Sequence, residues 1–218
     1  MGTKERKLRE KNKRRKDILS ITKELFESRG LSSTTIEDIA QMAELSPATI
    51  YNYFKNKGDL YASLNLEVLE LMYGGMEKVY LNEKLDPVEK LFELKNAIYN
   101  SFKFEPLIIK SIIRFQIEDT LTNLSPQLVT QINKISKKSM NLITKVYESG
   151  VREGIFRKEN SIAIADTIWA ICTGVMVYEE AKKRINPQKD FFKSTLDTAI
   201  AIFIEGLKIR KDAVHPKV

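Results

Sequence analysis

The chain has a single cysteine, Cys172, and a single histidine, His215, among its 218 residues. That excludes a disulfide framework and any metal site built from several Cys or His ligands. His215 lies in a polar C-terminal stretch, so neither a Ser-His-Asp nor a Cys-His arrangement is expected. Paired catalytic groups and a phosphate-binding glycine loop are also missing, so no enzymatic activity and no cofactor are expected. Glycine (nine) and proline (six) are scarce, and most fall where helices should begin or end. No apolar leader opens the chain, and the basic start fits a cytoplasmic protein.

Charge is unevenly placed. Residues 1–16 carry nine Lys/Arg against Glu5 and Glu10, which accounts for the whole net charge of +7. An arm or helical extension of this sign suits contact with phosphates or entry into a minor groove. A solvated tail is the plainer alternative.

Residues 34–60, TTIEDIAQMAELSPATIYNYFKNKGDL, hold two short helix patterns, a break between them, and a third start signal. Thr34 is placed to cap the first helix, with Glu37 reaching back as a capping box. Ile36, Ile39, Ala40 and Ala43 form one apolar stripe at helical spacing. Ser46 and Pro47 start the second helix as N-cap and first residue. Ile50 and Phe54 give that helix an inward face. Ser46, Pro47, Ala48, Thr49, Tyr51 and Asn52 remain outward or at its N-terminal end. Small and hydrogen-bonding residues there suit a helix laid N-terminus first into a major groove. The segment reads as a helix-turn-helix.

Upstream lie Ile18, Leu19, Leu25, Phe26 and Gly30; within the segment lie Thr35, Ile39-Ala40, Ala43, Ser46, Thr49-Ile50-Tyr51, Tyr53-Phe54, Lys57 and Leu60. This pattern resembles the DNA-binding domain of TetR/AcrR-family transcriptional regulators. One departure is Glu44, where the family usually places Gly in the turn; at positive φ a non-Gly residue costs roughly 1 kcal/mol. The resemblance implies an all-α protein of about nine helices. Residues 1–60 would form a three-helix DNA-binding domain with a basic arm, and 61–218 a helical ligand-binding and dimerisation domain. It further implies a repressor released from a palindromic operator by a small molecule. A DNA-bound factor for chromosome organisation or division control, without a ligand, is the alternative on the same fold. By the same match Thr35, Tyr51 and Lys57 contact phosphates, while Pro47, Ala48, Thr49 and Asn52 read base edges. Tyr53 stacks on the sugar-phosphate edge or packs beneath the helix.

Further helices are expected from Asp86-Pro87, Pro106, Ser125-Pro126, Asn160 and Asn186-Pro187. A connector over 57–80, capped by Asn56 and Asp59, is expected to be interrupted at Gly74-Gly75, as a hinge or as a kink or close helix contact. Residues 162–178 hold one charge, Asp166, and are apolar on almost every side. Seventeen residues are short for a membrane span, so burial against a second copy is the better reading. The final helix adds a broad apolar face from Phe192, Leu196, Ile200, Phe203 and Leu207. The family resemblance implies that the last two helices of each subunit form a four-helix dimer interface. A two-fold dimer presents its recognition helices about 34 Å apart.

For a small-molecule effector the candidate pocket residues are Tyr99, Phe102, Phe115, Met140, Tyr147, Trp169, Cys172 and Met176. The same residues at helical spacing also suit an ordinary packed core. Their low charge favours a lipophilic or aromatic ligand, whereas Glu118 and Asp119 are placed to face a cationic one.

Overall fold

The computed structural model describes residues 2–30, 33–105 and 124–209. Among these residues there are eight helices and no strand, with one isolated antiparallel bridge between Phe156 and Lys208. The helix expected from Pro106, together with Phe115, Glu118 and Asp119, lies outside the described residues. The chain divides into two compact units, Met1–Val68 with Lys110–Asn133 and Leu69–Ile109 with Lys134–Val218.

The first unit contains α1 (Thr3–Arg29), α2 (Ile36–Met42), α3 (Pro47–Tyr51) and the first turns of α4 (Lys57–Tyr80). Ile18, Leu19 and Leu25 of α1 meet Ile36, Ile39 and Ala40 of α2, Ile50 of α3, then Phe54 and Leu60, in one buried cluster. α1 starts at Thr3, so the basic run is itself helical. Gly30 stops this helix at φ +82°, with its N–H donating to the Phe26 carbonyl at 3.0 Å.

The cap of α2 differs from expectation by one residue. Thr35, not Thr34, is the N-cap, and Asp38, not Glu37, closes the box. Thr34 is buried and its hydroxyl donates to the Gly30 carbonyl at 2.9 Å, which leaves the exposed Thr35 to serve the helix. At the other end Leu45 N–H donates to Ala40 O (2.9 Å) and Glu44 N–H to Gln41 O (3.1 Å). These are the paired bonds of a Schellman motif, which requires a left-handed residue between them. Glu44 occupies that place at φ +54°.

α4 opens as expected: Asn56 Oδ1 accepts from Asp59 N–H at 2.8 Å. The buried Asp59 carboxylate also accepts from Ser125 N–H at 2.9 Å. Gly74-Gly75 does not interrupt α4, which runs unbroken to Tyr80. Met72 and Met76 are buried on either side of the pair. A Cβ on Gly75 would sit 3.5 Å from the Ala97 side chain, an ordinary packing distance.

The second unit holds the rest of α4, α5 (Pro87–Phe104), most of α6 (Pro126–Arg152), α7 (Ser161–Ile185) and α8 (Phe192–Leu207). Asp86 and Glu89 cap α5 reciprocally, and Asn160 caps α7 through Ile162 and Ala163 N–H. Its core stacks Leu94, Ile98 and Phe102 of α5 with Ile168, Cys172 and Met176 of α7 and Leu196, Ile200 and Ile204 of α8. Lys95 of α5, nearly buried, pairs with Asp197 of α8. Asn186 and Pro187 do not open the last helix. Asn186 N–H donates to Lys182 O at 2.9 Å and so closes α7, with proline following as it commonly does past a helix end. Gly150 is required by packing, since a Cβ there would lie 2.2 Å from the Phe156 ring.

Candidate functional site

Only five residues, Pro47–Tyr51, form α3, and its N-terminus is fixed by side chains rather than length. Ser46 Oγ accepts from Thr49 N–H at 3.2 Å, and the two hydroxyl oxygens lie 2.9 Å apart. Pro47 supplies the preset φ of a first helical position. Ile50 is fully buried and Phe54 nearly so, which anchors the inner face. Pro47, Ala48, Tyr51 and Asn52 are exposed, Tyr51 by 52%, and Thr49 is half-buried. The chain thus presents one short, rigidly mounted surface of methyl, amide and phenol groups, as a reader of base edges needs.

Tyr53 packs against the first unit's core, half-buried. Lys57 begins α4 and is half-buried. Thr35 is exposed at the start of α2, with its hydroxyl already donating to Asp38 at 2.7 Å. The Thr35 hydroxyl and then its N–H hold the Asp38 carboxyl below the usual carboxylate range, against a smaller opposing effect of desolvation. Arg29, 3.5 Å away, acts in the same direction. A phosphate at Thr35 therefore competes with an internal carboxylate.

The basic surface is built on α1. Its first fifteen residues, Thr3 to Asp17, precede the first core residue Ile18 and extend about 22 Å at 1.5 Å per residue. Lys4, Lys7, Lys11, Lys13, Arg14 and Lys16 are exposed, and Arg6 pairs with Glu10 at 2.9 Å. Arg15 instead turns inward, donating to Ser63 Oγ at 2.8 Å.

In the second unit the sequence-predicted pocket residues separate. Met140 and Trp169 share a cavity of about 190 Å³ with Leu69 and Met72 of α4, Ser136 and Ser139 of α6, and Asp166 of α7. Phe102 stands behind it, edge-on to Trp169 at 6.4 Å. Tyr99 packs on Phe192 at 4.8 Å. Tyr147 stacks on Phe156, donates to Arg157 O (2.7 Å) and accepts from Glu159 N–H (2.8 Å), which pins the loop after α6. Met176 is buried, as is Cys172, whose thiol is pushed up to about 12 by desolvation. Phe115 lies outside the described residues. A wider groove of about 440 Å³ runs between α4 and α5, edged by the exposed Leu71 and Phe104. Helical periodicity could not select Leu69, Met72, Ser136 and Asp166, because which faces meet is decided by packing between helices.

A capped helix-turn-helix on a small helical unit, with a helical second unit, defines a DNA-binding transcriptional regulator. Residues 18–64 match the bacterial regulatory proteins of the tetR family. The HTH-type transcriptional repressor KstR2 of Mycolicibacterium smegmatis is 25% identical over 161 residues, 72% of this chain and 76% of that protein. The solved TetR-family regulator PfmR of Thermus thermophilus superposes with a TM-score of 0.67 at 19% identity, covering 88% of this chain and 99% of that one. FadR of Bacillus subtilis, solved with stearoyl-CoA, gives 0.66 at 22% identity over 88% and 98%. Residues 18–64 therefore match a tetR-family DNA-binding domain, and the described residues share the fold of the solved TetR-family regulators.

Proposed function

We propose that this protein is a homodimeric repressor that binds a palindromic operator through its first unit and releases it when a small molecule occupies the second. The observation that carries the reading is α3: a capped helix with buried Ile50 and exposed Pro47, Ala48, Tyr51 and Asn52. In this reading Thr49 and Asn52 join Pro47 and Ala48 at base edges. Tyr51, Lys57 and the basic face of α1 meet phosphates.

Dimerisation is supported by apolar surface left open on α7 and α8. Ile162, Tyr178 and Ile202 are 67%, 62% and 69% exposed, and between them lie the exposed small residues Ala170, Gly174 and Ala201. α7 is 25 residues long and apolar enough by length and composition to cross a membrane. A second copy fits better than a bilayer, because the charged Asp166 lies within this helix and seven of its residues are buried in its own unit. Effector control is supported by the cavity beside Trp169 and by the FadR relative solved with an acyl-CoA. In this reading the protein acts on DNA in the cytoplasm.

Selection of genomic fragments by the purified protein at two salt concentrations tests the reading. One or a few palindromic sites are expected, with affinity falling steeply as salt rises. Dispersed binding without a palindrome would overturn the operator-specific repressor.

A further inference from the structure

Among the described residues, the cavity between α4, α6 and α7 has one ionic group on its wall, and it is an acid. Leu69, Met72, Met140 and Trp169 supply apolar and polarisable surface; Asp166 supplies the charge. Asp166 is the sole charged residue in 162–178 and makes no hydrogen bond or ion pair among the described residues. Lys138, the cation nearest in sequence to Ser139, is engaged elsewhere, 5.3 Å over the ring of Tyr73. Asp166 and Trp169 stand three residues apart on α7 and therefore share a face.

Resting on the reading of the second unit as the effector domain, we infer that this cavity takes a small organic cation with a single-ring apolar body. An indole face is the strongest of the side-chain π surfaces for a cation, and the thioethers of Met72 and Met140 adapt to an aromatic ring. The Asp166 carboxylate adds direct charge pairing at the rim, where it is exposed. An anionic ligand meets repulsion from Asp166 and finds no Lys or Arg among the described residues of the wall. A neutral one gains burial alone. Size narrows the class further. An apolar cavity of roughly 150 Å³ accommodates benzene, so about 190 Å³ leaves room for one ring and a compact ammonium group.

Trp169 is the single tryptophan of the chain, so its fluorescence reports on this site. The full-length protein is titrated with benzyltrimethylammonium, its neutral isostere neopentylbenzene, and phenylacetate. Saturable quenching by the cation, none by phenylacetate, and at least about tenfold weaker binding in Asp166→Asn are expected from loss of the charge pair. Asp166 is exposed and makes no internal bond among the described residues, so this variant folds; its thermal transition is recorded alongside. Equal binding of cation and neutral isostere, or a cation affinity unchanged in Asp166→Asn, overturns the cationic class. Absence of saturable binding by the cation into the millimolar range also overturns it. Operator binding is followed in the same titration. A cation that binds through Asp166 without releasing DNA leaves the site standing and removes the effector reading instead.

Discussion

The guanidinium of Arg15 lies 4.9 Å above the ring of Phe54 while donating to Ser63 Oγ at 2.8 Å. One side chain thus ties the last turn of the basic stretch of α1 to the residue that closes the recognition segment and to α4. Arg15→Ala removes a cation–π contact and a half-buried hydrogen bond, together worth about 1–2 kcal/mol. Urea denaturation of the variant is expected to show that loss, with m unchanged. Arg15→Lys should recover only part of it, because an ammonium cannot lie flat on the ring.

The basic helix makes a separate prediction about DNA. Lys7, Lys11 and Arg14 are exposed at helical spacing on α1 and precede the hydrophobic core. Replacing all three with Gln should reduce the slope of log K against log[salt] by about 0.9 for each phosphate that the helix no longer neutralises. Sequence preference should be unchanged, since phosphates position the protein and bases specify the site. An unaltered slope would mean this helix stays in solvent.

Much of this geometry was legible in the residues, and the misses share a cause. Ser46-Pro47, Asp86-Pro87 and Asn160 announced their helices because each carries a cap that acts locally. At Thr34-Thr35 two adjacent residues satisfied the same cap rule, and the choice fell to burial of Thr34 against Gly30. Gly74-Gly75 disfavours a helix locally, yet burial of Met72 and Met76 carries α4 through. The pocket walls were the least legible. Tyr147 and Trp169 look alike along the chain, and only packing sends one to a loop and the other to a cavity.

Glu44 holds a left-handed conformation that Asn tolerates better, and it is exposed beside the reading helix. Glu44→Asn should leave the Schellman bonds to Ala40 and Gln41 in place while removing a negative charge. Tighter DNA binding at low salt is expected, with the gain fading as salt screens it. Electrophoretic or anisotropy titrations at two salt levels measure both effects.

Asp38 predicts an acid-side weakness in α2. Its folded-state pKa is lowered by the Thr35 hydroxyl and N–H, so its contribution is fully present above the ordinary value of 3.8. It is lost as pH falls through the lower, folded value. Asp38→Asn should therefore be less stable than the parent near neutrality, and the two should converge in strong acid. Chemical denaturation from pH 7 downward reads the difference; parallel curves at every pH would remove Asp38 from the account.

Ile202 tests the proposed dimer without disturbing the subunit. It is 69% exposed on α8, on the side away from the buried Leu196, Ile200 and Ile204. A surface substitution there should change subunit stability by no more than about 0.5 kcal/mol. In a dimer that covers this face, Ile202→Glu buries an unpaired carboxylate, which costs about 3–5 kcal/mol. That corresponds to a dissociation constant raised by roughly two to three and a half orders of magnitude, at about tenfold per 1.4 kcal/mol. Sedimentation equilibrium should then find monomer where the parent is dimer. Operator affinity should fall with it, because a single head reads one half-site and loses its tethered partner. A variant that stays dimeric places the interface on some other face, and one that is monomeric yet binds the full operator as before removes the palindrome from the reading.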